Sequence, residues 1–218
     1  MFILYLLKGV NTLAGYNVNQ IAFFFLTFNL IDIASQFLFR EVYRFRPLII
    51  SGAFDLVMVK PISALFRSLM GGADLLDLIT LPPLLVGIFL VARTLNPTTI
   101  EVFYYLILLA NGLVIAAAFH IAVLSLAVIT LEIDHTIMIY RDTSNLGRFP
   151  IDIYKEPLKS VLTFFIPIGI MISLPAKALI GLVSIKGVLG AILLGLVLLS
   201  LSLKFWNFAL KRYTSASS

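Results

Sequence analysis

Between Val102 and Leu131 the chain carries no Lys, Arg, Asp or Glu. A helix needs about 20 mostly apolar residues to cross the hydrocarbon core of a bilayer. This run exceeds that, so it can tilt or project beyond the membrane. Four more stretches reach or approach the same length: Ile21–Phe39, Leu75–Ala92, Leu158–Leu174, which Pro167 interrupts, and Val188–Leu210. Met1–Leu7 is apolar but too short to span, and it reads as the end of an earlier helix. The expected fold is all-α: one polytopic transmembrane helical bundle over residues 1–218, with five full spans plus an N-terminal remnant of a sixth. Composition agrees. Charged residues make up 12% of the chain and hydrophobic ones 61%, whereas a soluble domain keeps about 25% charged to satisfy its hydrated surface. The lipid bilayer is the first partner implied.

The formal charge of +5 does not point to nucleic acid, because the cations are not gathered into an arm or stripe. They fall between the apolar runs, where they orient a membrane protein. Arg40, Arg44, Arg46, Lys60 and Arg67 follow the first span. Arg141, Arg148, Lys155 and Lys159 separate the third from the fourth, and Lys204, Lys211 and Arg212 end the fifth. The other side keeps Lys8, Arg93, Lys177 and Lys186. Twelve against four places the long loops and the C-terminus in the cytoplasm. With no cysteine and no usable N-x-S/T site, since Pro97 follows Asn96, a multi-pass protein of a bacterial inner membrane is expected.

The tools of an enzyme or a self-contained pump are missing. No G-x-x-x-x-G-K-[ST] loop is present to cradle phosphates, and no G-x-S-x-G elbow. The two histidines, His120 in the third span and His135 after it, belong to no H-E-x-x-H pair. Asp74 and Asp77 share a helix face, but they open a span, where carboxylates suit the positive helix N-terminus; no third ligand suggests a metal. We expect no catalytic residue, no metal site and no directly bound cofactor. If ATP drives the protein, ATP and Mg must sit on a separate subunit.

Three features remain. The segment Arg40–Gly72 is too long for a simple connection. In it Pro61 stands where a helix can begin, and Ile62, Leu65, Phe66, Leu69 and Met70 recur at helical spacing. It reads either as a helix lying passively at the interface or as a docking element using Arg67, Lys60 and the turn around Gly52–Asp55. In the first span Asn29, Asp32 and Gln36 share one face, which lipid would penalise; interhelical hydrogen bonding and a substrate path both explain it. Gly187, Ala191 and Gly195 recur every fourth residue and read as close helix packing. Pro82–Pro83 and Pro167 should bend their spans.

The run QFLFREVYRFRPLIISGAFDLVMVKPISALFRSLMGGADLLDLITLPPL, Gln36–Leu84, resembles the signature loop and following span of the ABC-2 type permeases, closest to the ABC-2 family transporter proteins. GRFPIDIYKEPLKSVLTFFIPIGIMISLPAKALIG, Gly147–Gly181, is similar to that family's other recurring pattern, a Phe-Pro-x-x-Ile-Tyr element before a Pro-broken span and a Pro-Ala pair. The resemblance implies a six-span permease pairing with a second permease copy or paralogue and with ABC ATPase subunits. It also implies that Arg40–Gly72 is the coupling element, docking the ATPase with Gly52, Asp55, Lys60, Pro61, Phe66 and Arg67. Against six spans, the five counted here, with Met1–Leu7, lead us to expect that the first helix is lacking. The resulting expectation is the permease of an ATP-driven exporter; an ATP-independent secondary transporter or channel, with Asp32 titrating or binding an ion, is the alternative.

Overall fold

The computed structural model describes residues 12–72, 74–130 and 134–214, without the side chains of 134 and 135. Met1–Leu7 and the side chain of His135 lie outside that description. Ten helices organise the described chain: α1 Val18–Phe39, α2 Phe45–Ile50, α3 Ala53–Met58, α4 Ala64–Leu69, α5 Leu75–Leu95, α6 Thr99–Thr130, α7 Asp134–Asn145, α8 Leu158–Phe165, α9 Gly169–Leu179 and α10 Ile185–Lys211. No strand occurs among the described residues beyond one isolated bridge, Leu13–Tyr16. Local chemistry sets the ends. Asn17 and Gln20 exchange side-chain-to-backbone hydrogen bonds of 2.9 Å each at the start of α1, and such a capping box satisfies two N–H groups the helix cannot. Asp74 and Ser184 cap α5 and α10 more simply, each side chain accepting one backbone N–H, from Leu76 and Gly187.

Four segments are long and apolar enough to cross a membrane: Val18–Ile50, in which a 3-10 turn carries α1 into α2, then α5, α6 and α10. α5 stays one helix through Pro82 and Pro83. α1 and α5 are antiparallel, joined at one end by Arg40 with Asp74 and Asp77 and meeting along their length at Leu26 and Gly87. α6 and α10 run parallel, with Leu108 beside Val188 and Ala118 beside Ser202. Parallel neighbours in a membrane require a return crossing between them. Residues 134–150 make it: Tyr140 packs on Phe119 and His120, the Arg148 guanidinium lies over the Phe28 ring, and Phe149 joins the cluster of Tyr16, Phe24 and Tyr105.

The expected fourth span, 158–174, is corrected by this path. α8 and α9 form a pair bent by 78° at Ile166–Pro167. A residue before proline is pushed out of the helical region, and Ile166 accordingly sits at φ −114, ψ 82. The pair is a hairpin rather than a crossing, because its two ends converge: Lys159 of α8 and Lys177 of α9 both bind the Asp152 carboxylate, at 2.9 and 2.5 Å. The expectation that Lys159 and Lys177 lie on opposite sides is therefore overturned. Hydropathy missed the true crossing because α7 is short and polar, and found the hairpin because its apolar residues bury against the bundle. We call its open side the hairpin end, and the side holding α2–α4 the loop end.

Close approach decides where the hairpin can lie. A Cβ on Gly112 would stand 2.5 Å from the Met171 carbonyl oxygen, so α6 presents bare backbone where α9 crosses it. Gly112→Ala is expected to cost about 1–3 kcal/mol through overpacking, read as a lower unfolding temperature of the detergent-solubilised chain. Gly190→Ala, where a Cβ meets nothing, should leave it unchanged. Of the spaced small residues, Ala191 and Gly195 do face α6: Asn111 donates to the Ala191 carbonyl at 2.9 Å and fills the space beside Gly195. Gly187 meets only its own helix's neighbours, Val183 and Ser184.

Candidate functional site

At the loop end, Phe45 of α2 and Phe54 of α3 are fully buried, edge-on to one another and against Trp206 and Tyr213 of the C-terminal segment. This aromatic plug fixes α2–α4 beneath the bundle. Gly52 turns the chain there with φ 71, in the left-handed region that glycine enters without cost. The expected helix from Pro61 begins later, at Ala64, because the Ser63 side chain supplies its cap. Its apolar residues then divide: Leu69 is buried, whereas Ile62, Phe66 and Met70 are exposed.

The six expected docking residues therefore separate into two groups. Gly52 and Asp55 are half-buried on the inner side, Asp55 beside the Tyr213 hydroxyl. Lys60, Pro61, Phe66 and Arg67 are exposed, among Leu56, Val59 and Ile62, which are 64%, 80% and 54% exposed. Arg67 is nevertheless committed, pairing at 3.0 Å with Glu41, a buried carboxylate of the 3-10 turn after α1.

The Asn29–Asp32–Gln36 face behaves differently at each position. Asn29 turns its amide to the Phe25 carbonyl of its own helix. Gln36 donates to Asp32 at 2.9 Å. Asp32 lies within the field of Arg141 and Arg148, so α7 and the turn after it are what this face meets. Neither arginine was assigned to it from the sequence; both were read as loop cations, and only the return crossing brings them here. Toward the loop end the same face opens into a polar cavity of about 190 Å³, lined by Gln36, Arg40, Tyr43, Arg44 and Arg141.

Two ion clusters fasten the ends of the bundle. Arg40 bridges Asp74 at 2.8 Å and Asp77 at 2.6 Å, so those carboxylates anchor α1 to α5 as well as capping a helix. At the hairpin end Asp152 accepts from Tyr16 at 2.8 Å as well as from both lysines. Burial alone would raise its pKa, but the hydrogen bonds from Lys177, Lys159 and Tyr16 prevail and hold it at about 2. No group of His, Asp and Glu able to hold a metal is found among the described residues.

A family model described as ABC-2 family transporter protein covers residues 1–217. No curated protein and no solved structure matches the chain.

Proposed function

From the premise that the chain belongs to the ABC-2 family of transporter proteins, and is thus a multi-pass permease of an ABC transporter, we propose that it couples a separate ATPase subunit to export. The observation that carries the reading is the loop end. Lys60, Pro61 and Phe66 stand exposed with Leu56, Val59 and Ile62 on a scaffold fixed by a buried aromatic plug. Exposed apolar residues rimmed by charge mark a protein contact. A rigid footing beneath them lets a push on α3 and α4 reach α1, α6 and α10. ATP and Mg belong to the partner, and a second permease copy completes the path. The loop end is the cytoplasmic one: it holds Arg40, Arg44, Arg46, Lys60, Arg67, Lys204, Lys211 and Arg212, against Arg93, Lys155, Lys159, Lys177 and Lys186 at the hairpin end. That orientation places the C-terminus in the cytoplasm of a bacterial cell. The Asn29–Asp32–Gln36 face, met by Arg141 and Arg148, is the transport path, since exposed guanidinium groups at membrane depth require water or protein rather than lipid.

Co-reconstitution in proteoliposomes with the cognate ABC ATPase tests the proposal: the permease should stimulate ATP hydrolysis, and equal hydrolysis in its absence would refute coupling. The channel or secondary-transporter alternative makes a different forecast for Asp32. It requires ion or proton flux through the permease alone, lost in Asp32→Asn. Our reading expects no such flux above empty liposomes, followed with a pH-sensitive dye, in wild type or variant.

A further inference from the structure

We infer that the cavity between α1 and α7 at the loop end is a binding site for a phosphoryl oxyanion. The inference rests on the α1–α7 face being the transport path, and it names the charge class of what enters there.

The lining itself selects the ligand. Gln36, Arg40, Tyr43, Arg44 and Arg141 enclose about 190 Å³, and no carboxylate is among them. Several water-sized volumes of about 30 Å³ fit in that space, so a phosphoryl group enters with some of its hydration. The carboxylates around it are engaged: Asp74 and Asp77 take the two terminal nitrogens of Arg40, Glu41 takes Arg67 and stands near Arg44, and Asp32 takes Gln36 within the field of Arg141. Arg44 and Arg141 have no carboxylate oxygen within 4 Å among the described residues. Both guanidinium groups therefore line the cavity without a direct ion pair to a described carboxylate.

The guanidinium groups of Arg44 and Arg141, an amide and a phenol approach from two helices and the turn between α1 and α2. A carboxylate offers two oxygens in one plane, whereas a phosphoryl group offers three around a tetrahedron and answers forks from several directions. The geometry favours the phosphoryl group, carried either by an amphiphile's headgroup or by a free anion.

The test uses the full chain in a neutral detergent, titrated with dihexanoyl phosphatidic acid, dihexanoylglycerol and inorganic phosphate. Phosphatidate should bind, and the Arg44→Gln/Arg141→Gln double variant should weaken it at least about tenfold, while Arg93→Gln at the hairpin end leaves it unchanged. Arg141→Lys keeps the charge, loses the fork, and should lose about threefold; it carries the test should the double variant misfold. Competition by inorganic phosphate at similar concentrations identifies a free anion as the ligand, and its failure identifies a headgroup; either supports the site. Unchanged phosphatidate affinity in both arginine variants, or dihexanoylglycerol binding as tightly as phosphatidate, overturns it. ATPase stimulation in the same variants separates the two readings. Lost binding with full stimulation keeps the site and removes it from the path; lost stimulation with unchanged binding keeps the path and removes the site.

Discussion

Lys60→Glu combined with Phe66→Ala is expected to raise the dissociation constant for the ATPase subunit about a hundredfold, with the permease itself left folded. Phe66 is 56% exposed in the isolated chain, on a six-residue helix whose Ser68 and Leu69 face inward. Truncating a solvent-exposed ring changes stability by about 0.5 kcal/mol or less. Buried in a partner's pocket, an aromatic anchor commonly contributes 2 kcal/mol or more. Reversing Lys60 removes a cation from the rim of the contact, which alters association and its salt dependence. Co-purification and ATPase stimulation read the loss, and unchanged values in both would sink the coupling assignment. Arg67 is the wrong probe. Its guanidinium neutralises the buried Glu41, so charge reversal there would damage the permease and mimic a docking defect.

Asp152→Ala should give the largest loss of stability among single changes outside the apolar core. It leaves Lys159 and Lys177 facing one another without an anion and frees the Tyr16 hydroxyl. Removing one partner of a buried ion cluster costs about 3–5 kcal/mol; the Asp152 side chain is 22% exposed, which reduces this to roughly 2–3 kcal/mol. The hairpin should then open toward its own end, read as faster hydrogen exchange over α8 and α9 and a lower unfolding temperature. Exchange unchanged in both helices would show that the carboxylate holds nothing. The pH dependence has a definite sign. With its folded pKa near 2, below the ordinary 3.8, the carboxylate stabilises fully above pH 4, and the contribution fades as pH falls toward 2. Between pH 5 and 8 Asp152 itself should add no slope to the unfolding temperature.

The sequence disclosed its fold class readily because lipid imposes a simple rule, and α1, α5, α6 and α10 obey it along their length. It misled where two segments traded appearances. The α8–α9 hairpin is as apolar as a span, so composition alone cannot tell it from one; a carboxylate a few residues upstream, binding both its ends, decides the matter. The α7 crossing carries Arg141, Asp142, Asn145 and Arg148 and therefore reads as a loop. The loop end was legible in its residues and not in its tilt. Periodicity located Phe66 and Leu69 on one face, but Ser63 capping and the burial of Leu69 turned that face partly outward. Asp74 and Asp77 were rightly seen as helix-opening carboxylates. Their partner Arg40, 34 and 37 residues upstream, lies beyond what spacing within a helix can reveal.

The pairing of α6 with α10 also sets a clock. Asn111 donates to Ala191, 80 residues later, and a ribosome adds about 5–20 residues each second. For some 4–16 seconds of synthesis, at that rate, the amide is inside the bilayer before its acceptor exists. The α6–α10 seam therefore closes only once the last helix is made, and a chain stopped short of Ala191 lacks the carbonyl that accepts from the Asn111 amide.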